Sequence, residues 1–230
     1  VREIFRSGMN HLNSVYVFMS GGVDKMLGEM TEEFEREQFI ISTKIGYRAY
    51  KETGQYKSGV TTQACMDMLD ESLNRQRSEY VDILYLHAPP TGAAAMNEEM
   101  LNGLRKAKEQ GKARFVGIST HSNQVELLET AIDSNFYDVV LVAYNYRLGD
   151  TLKPAIAKAA ESGIGIVAMK TQAGKFLDKE KTRPVNKSAA LKWVLQDENI
   201  HTAIMRIQTF DDLKLYQSIM YDIEMTPEEI

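Results

Sequence analysis

Tyr80–Pro90, YVDILYLHAPP, is the stretch on which the fold turns. Its short apolar core, DILYL, has the composition of a strand buried on both faces, and it closes on a histidine. Reading outward, the same pattern recurs in FIIST, RFVGIS and VVLVAY. The strands expected are Asn10–Ser14, Phe39–Lys44, Val81–His87, Ala113–Ser119, Val139–Tyr144, Gly165–Met169 and Thr202–Met205. Between them, apolar residues fall three and four apart, as at Cys65, Leu69 and Leu73 and at Leu127, Leu128 and Ala131, which is the spacing of amphipathic crossover helices. Gly111 and Gly163 stand where such helices stop.

Strict alternation of strand and helix with short connections means a parallel sheet covered by helices, either open and doubly wound or closed as a barrel. Two features favour the barrel. The strands are apolar throughout, and polar residues collect where each one ends: Asn13-Ser14, Thr43-Lys44, His87, Ser119-Thr120, Tyr144-Asn145, Lys170-Thr171 and Arg206. That rim is where an eight-stranded barrel does its chemistry. Seven strands are counted, and Val1–Ser7 reads as the tail of a helix, so the expected fold is a (β/α)8 TIM barrel whose first strand precedes Val1. At the other end Thr226-Pro227-Glu228-Glu229 has the spacing of a helix capping box, yet the sequence stops one residue later. Residues 1–230 are therefore expected to form one partial barrel domain from a longer protein.

Composition narrows the partners. With 27 Lys and Arg against 32 Asp and Glu the formal charge is −5, and no basic block occurs, which argues against nucleic acid and anionic membranes. No apolar run approaches the length of a membrane span, and no signal peptide is visible. The single cysteine, Cys65, sits in a helical pattern and reads as a core residue more than a nucleophile. The expected setting is the reducing cytoplasm, with a small molecule as partner. No cluster of Cys, His and carboxylates has metal-ligand spacing, so no metal site is expected. His11 and His201 read as structural, whereas His121 follows the active rim. The twelve methionines read as core filling.

Longer words carry a resemblance. SLNRQRSEYVDILYLHAPP, GKARFVGISTHSN, the YNY after VVLVA, and ESGIGIVAMK followed by AALKWVLQDENIHTAI resemble, in this order and spacing, the aldo/keto reductase family. The resemblance implies a (β/α)8 barrel that binds NADPH at its C-terminal rim without a glycine-rich fingerprint. It also implies a catalytic tetrad in which a Tyr donates a proton, a Lys lowers the Tyr pKa, an Asp pairs the Lys and a His orients the carbonyl. Lys44 and His87 match the Lys and His. The family's second-strand pattern, aligned on Gly8, Asn10, Asp24, Leu27 and Gly28 of GMNHLNSVYVFMSGGVDKMLG, puts Asn13 at the Asp position and Phe18 at the Tyr position.

Those two replacements matter chemically. Phe18 has no dissociable proton and Asn13 supplies no anion for Lys44. A positioned acid is worth roughly 10²–10⁴ in rate, or about 3–5 kcal/mol. Tyr16, two residues away, and His87 are the substitute proton donors the sequence offers. On the cofactor side the resemblance assigns Ser119 and Thr120 to the carboxamide, with Leu141 where a Gln is usual. It places Tyr144 and Asn145 after the fifth strand, Met169 against the nicotinamide ring and Lys170 near the pyrophosphate. Arg206, Gln208, Thr209 and Asp212 fall at the adenosine 2′-phosphate, favouring NADP over NAD; Thr209 reads equally as a helix N-cap.

Three functions follow as expectations. The first is an NADP-linked oxidoreductase acting on a carbonyl or alcohol substrate with impaired chemistry. The second is an inactive nucleotide-binding regulatory or assembly protein, a pseudoenzyme. The third is a lyase using Lys44 or Lys170 as a Schiff-base amine, for which nothing else in the sequence asks.

Overall fold

The computed structural model describes residues 1–15, 21–30, 32–46, 49–50, 53, 55–56 and 59–229. Its elements run α1 (Arg2–Arg6), β1 (His11–Asn13), α2 (Gly22–Met30), β2 (Ile40–Ile45), α3 (Thr62–Gln76), β3 (Val81–His87), α4 (Gly92–Ala95), α5 (Glu98–Glu109), β4 (Ala113–Thr120), α6 (Gln124–Ser134), β5 (Val139–Ala143), α7 (Gly149–Glu161), β6 (Gly165–Met169), α8 (Lys187–Leu195), β7 (Thr202–Ala203) and α9 (Phe210–Tyr221). A 3-10 turn, Arg36–Gln38, leads into β2.

The seven strands lie side by side in chain order, and each pairs with the next in parallel. A doubly wound sheet reverses its strand order at a switch point, and this one never does. Unbroken order with every crossover on one side is a curled barrel wall. Among the described residues β1 and β7 each pair on one side only, as expected of a (β/α)8 barrel whose first strand is not in this sequence. Observed strands match expectation within one or two residues. β7 is the shortest, although the backbone amide of Ile204 still donates to the Ala168 carbonyl at 2.8 Å.

Alternation along each strand splits the apolar residues into two layers. Leu12, Ile41, Leu84, Leu86, Ile118, Val140 and Ile166 face outward and pack with Cys65, Leu69, Leu104, Leu128 and Ile156 of the helices. Ile83, Tyr85, Val139, Leu141, Ala143, Val167 and Met169 form a separate inner group. Cys65 is fully buried, its thiol pushed up to about 11 chiefly by burial, and its Sγ lies 3.3 Å from Met100 Sδ, a core role. Gly111 and Gly163 end their helices with positive φ, 70° and 86°. Thr226–Glu229 forms half of the expected capping box: Glu229 accepts from the Thr226 amide, and also from Lys192 Nζ at 3.0 Å.

Candidate active site

Register decides what faces the barrel interior, because paired residues of parallel strands point to the same side. Asn13 pairs with Ser42, and Ser42 with Ile83. Lys44 pairs with Tyr85, Tyr85 with Gly117, His87 with Ser119, and Ser119 with Leu141. Asn13, Lys44, His87 and Ser119 therefore share the inner face near the C-terminal ends of β1 to β4, and the expected grouping of amine, imidazole and hydroxyl is met. Gly117 lets the rows close: a Cβ there would lie 2.2 Å from the Val139 carbonyl oxygen and 2.9 Å from the Tyr85 ring.

Lys44 is 4% exposed, and its ammonium has only neutral acceptors. Nζ donates to Asn13 Oδ1 at 2.6 Å and to the Ser14 carbonyl at 2.8 Å, and it lies 5.8 Å from the Tyr85 ring centre. Desolvation without a carboxylate pulls its pKa from 10.5 to about 7. Asn13 Oδ1 takes a second hydrogen bond, from Ser42 Oγ at 3.0 Å. With its proton spent there, Ser42 must accept from His11 Nε2, 3.0 Å away. The tautomer follows: His11 carries its proton on Nε2, and Nδ1 is left buried without a partner. Burial first and the Lys44 charge second hold this ring near pKa 4, so it is neutral. Ser14, whose carbonyl receives Lys44, donates its hydroxyl to Asp24 Oδ1 at 2.5 Å, and Ser72 and Gln76 complete that carboxylate's shell.

His87 is half-buried at the end of β3. Burial, then Lys44, then His121 lower its pKa to about 4, and burial with Lys170 and Lys44 lowers that of His121. These mutual effects place Lys44, His87, His121 and Lys170 within electrostatic reach at one rim. No carboxylate is among the causes for either rim histidine. Gly46 permits the close approach of β2, since a Cβ there would stand 3.1 Å from His87 Cβ. After β3 and β6 the chain turns through left-handed residues, Ala88 at φ 52° and Lys170 at φ 54°.

The cofactor-side residues divide. Ser119 Oγ is fully buried and has no hydrogen-bond partner among the described residues, so the pocket holds an unsatisfied donor where the resemblance puts the carboxamide. Met169 faces the same interior, and Leu141, beside Ser119, adds no polar group. Thr120 and Tyr144 lie on the outward parity. Thr120 Oγ1 donates to the Ser122 carbonyl at 2.6 Å, and Tyr144 donates to Asp197 at 2.5 Å while its ring rests 5.1 Å from Trp193. The Thr120 hydroxyl is thus held by its own loop and that of Tyr144 by the helix layer, so neither is turned to the inner face. Asn145 is buried and braces the rim, donating to the Lys170 carbonyl at 3.2 Å; Lys170 itself is exposed.

Arg206 is exposed beyond β7, and Gln208 follows it. Thr209 and Asp212 are consumed by a capping box at the start of α9, with Asp212 also paired to Lys187. Asp212 is held by these local contacts, and Thr209 takes the N-cap position. Tyr16 and Phe18 lie outside the described residues.

Sequence reasoning did not single out Tyr85, Ser42 or Asp24 as members of this centre. Tyr85 is fully buried with an unpartnered hydroxyl. Its separation of two from His87 was the available signal. A cleft of about 520 Å³, lined by Ile83, Phe115, Phe136, Val139, Val167 and His201, opens at the opposite, N-terminal ends of the strands. There His201 Nδ1 accepts from the Ile166 amide, a structural role. Among the described residues no group of three His, Cys, Asp or Glu could hold a metal, and no helix is long and apolar enough to cross a membrane.

Residues 1–228 match the model of the Aldo/keto reductase family. L-galactose dehydrogenase of Arabidopsis thaliana is 29% identical over 177 residues, 73% of this chain and 52% of that protein. L-glyceraldehyde 3-phosphate reductase of Escherichia coli (strain K12) is 36% identical over 138 residues, 56% of this chain and 39% of that protein. The chain thus spans about half the length, or less, of these curated relatives. Among solved structures, the holo form of an aldo-keto reductase from Bacillus halodurans superposes with a TM-score of 0.77 at 19% identity, over 99% of this chain and 82% of that one, a likeness of fold.

Proposed function

The chain belongs to the aldo/keto reductase family, and on that premise we propose that it is an oxidoreductase moving hydride between NADP(H) and a small carbonyl or alcohol at the C-terminal ends of its strands. The observation that carries this reading is the shared inner face of Lys44, His87 and the unsatisfied Ser119 hydroxyl. When bound, the nicotinamide supplies the hydride. Ser119 would hold its carboxamide, with Met169 packed beside the ring. Arg206, the exposed cationic residue between β7 and α9, would meet a 2′-phosphate, and this favours NADP over NAD.

The protein's own contribution to the chemistry is orientation with weak acid assistance. His87 is neutral at pH 7, so it offers one N–H to a carbonyl oxygen and has no labile second proton to give. Lys44 is partly deprotonated at the same pH and faces a neutral amide at Asn13. Phe18 adds no proton. The reaction proposed is therefore a slow carbonyl reduction, set in a reducing cytoplasm with a small-molecule partner and neither nucleic acid nor membrane. The neutral Asn13 also supports a second reading, a regulatory or assembly protein that binds the nucleotide without turnover.

The test titrates NADPH by fluorescence and follows its oxidation with a panel of aldehydes, in wild type and in Asn13→Asp/Phe18→Tyr. Nucleotide binding with slow turnover, accelerated roughly 10²–10⁴-fold in the double variant, is the result expected. Binding with turnover only in the variant selects the second reading. Failure to bind any nicotinamide nucleotide overturns both.

A further inference from the structure

We infer that Lys44 is a nucleophilic amine that captures small aldehydes as a reversible imine. The inference uses the pocket of the reading above but needs no nucleotide. It rests first on a count of hydrogens. An ammonium has three N–H donors and no lone pair, whereas a neutral amine has two N–H donors and one lone pair. Lys44 Nζ finds two acceptors among the described residues, Asn13 Oδ1 and the Ser14 carbonyl. Among the described residues the surroundings satisfy the amine and offer the third proton of the ammonium no acceptor, in a site where the residue is 4% exposed.

The second observation is the charge around it. From β1 the facing groups are Asn13 and neutral His11; from β3, His87 and the Tyr85 phenol; from the rim, His121 and Lys170. The buried carboxylate of Asp24 is reached only through Ser14 and is already held by Ser14, Ser72 and Gln76. Asp82 acts on His11 and is engaged by Arg36 and Arg114. No group in contact with Nζ favours its charged form as a carboxylate at residue 13 would. An amine partly unprotonated near pH 7 follows from that geometry.

In the step, the Nζ lone pair bonds to the aldehyde carbon and the carbonyl π pair moves to oxygen. The nitrogen gives up its two protons, the oxygen takes both, and water leaves as the C=N bond forms. Nothing is oxidised or reduced.

The experiment incubates the nucleotide-free protein with propanal and sodium cyanoborohydride between pH 6 and 9, and maps the added propyl groups by peptide mass spectrometry. At pH 7 Lys44 is expected to be alkylated about 10-fold or more faster than an exposed lysine such as Lys158. Its rate should be half-maximal near pH 7. In Asn13→Asp the restored anion should move that midpoint upward by about one pH unit or more. Alkylation of Lys44 no faster than of Lys158, or a wild-type midpoint above pH 9, overturns the inference even if Asn13→Asp does not fold. Because no nucleotide is present, NADPH binding and turnover stand or fall separately.

Discussion

The two walls of the inner face differ in how their polar groups are satisfied. On the β1–β2 wall, hydrogen bonds run from His11 through Ser42 and Asn13 to Lys44, and on through Ser14 to Asp24, Ser72 and Gln76. On the β3–β5 wall, Ser119 Oγ and Tyr85 OH are buried with no partner, beside apolar Leu141 and Val139. A connected network is a structural element whose loss costs folding free energy, even though His11 Nδ1 and Gln76 Oε1 at its ends are buried without a partner among the described residues. A hydroxyl without a partner among the described residues carries its desolvation cost until a ligand or a water relieves it. The difference separates residues that build the site from residues that wait for something to bind.

The sharpest way to break the contrast is to strike the glycine at the centre of the β3–β5 wall. A Cβ at Gly117 would stand 2.2 Å from a backbone oxygen, which cannot swing aside, and 2.9 Å from the Tyr85 ring. Gly117→Val is expected to destabilise by about 3 kcal/mol, through overpacking, in urea unfolding. A loss under about 1 kcal/mol would show that β4 and β5 separate easily and that the inner rows are not fixed by this contact.

Acid gives the next largest effect and acts on both walls. His11 and His87 titrate near 4 in the folded protein and at 6.5 when unfolded. Between those values the unfolded chain binds more protons, so stability is full above pH 6.5 and is lost as pH falls towards 4. From pH 6.5 to 5 the loss should be about 1 kcal/mol for each ring. His11→Gln should remove close to half of the slope while leaving that from His87. Lys44 is protonated in both states below pH 6 and does not contribute there; its own contribution is lost as pH falls from 10.5 to about 7.

Much of this was legible in the residues. The strands could be read because both of their faces are buried and every residue in them must be apolar. His87 and Lys44 stood out because charge-bearing groups ending such runs are costly unless partnered. Parity is what a local reading of the residues does not supply. Thr120 and Tyr144 follow Ser119 and Ala143 by one residue, and one residue on a strand is the difference between pocket and helix layer. The resemblance supplied the right words without that alternation. Asp212 shows a related ambiguity: a carboxylate three residues after Thr209 satisfies a helix N-terminus as well as it would a ligand, and here it makes the local contact. Apart from Ser14–Asp24, 10 positions apart, the network through Ser42 and Asp24 joins residues 29 to 52 positions apart, so no local pattern announces it.

The smallest effect isolates the contrast itself, since two serines on the same face should respond oppositely to the same truncation. Ser42→Ala leaves His11 Nε2 without its acceptor and removes one of the two donors on Asn13 Oδ1, so it should cost about 1 kcal/mol in thermal or urea unfolding. Ser119→Ala removes a hydroxyl with nothing to bond, so stability should move by less than about 0.5 kcal/mol, or rise. Ligand binding should reverse the ranking. Ser119→Ala should weaken NADPH about 5- to 10-fold, the value of one hydrogen bond, whereas Ser42→Ala should alter it little. If Ser119→Ala destabilised the protein as much as Ser42→Ala, its hydroxyl would have a partner within the chain, and the β3–β5 wall would be a finished structure in place of a vacant half of a binding site.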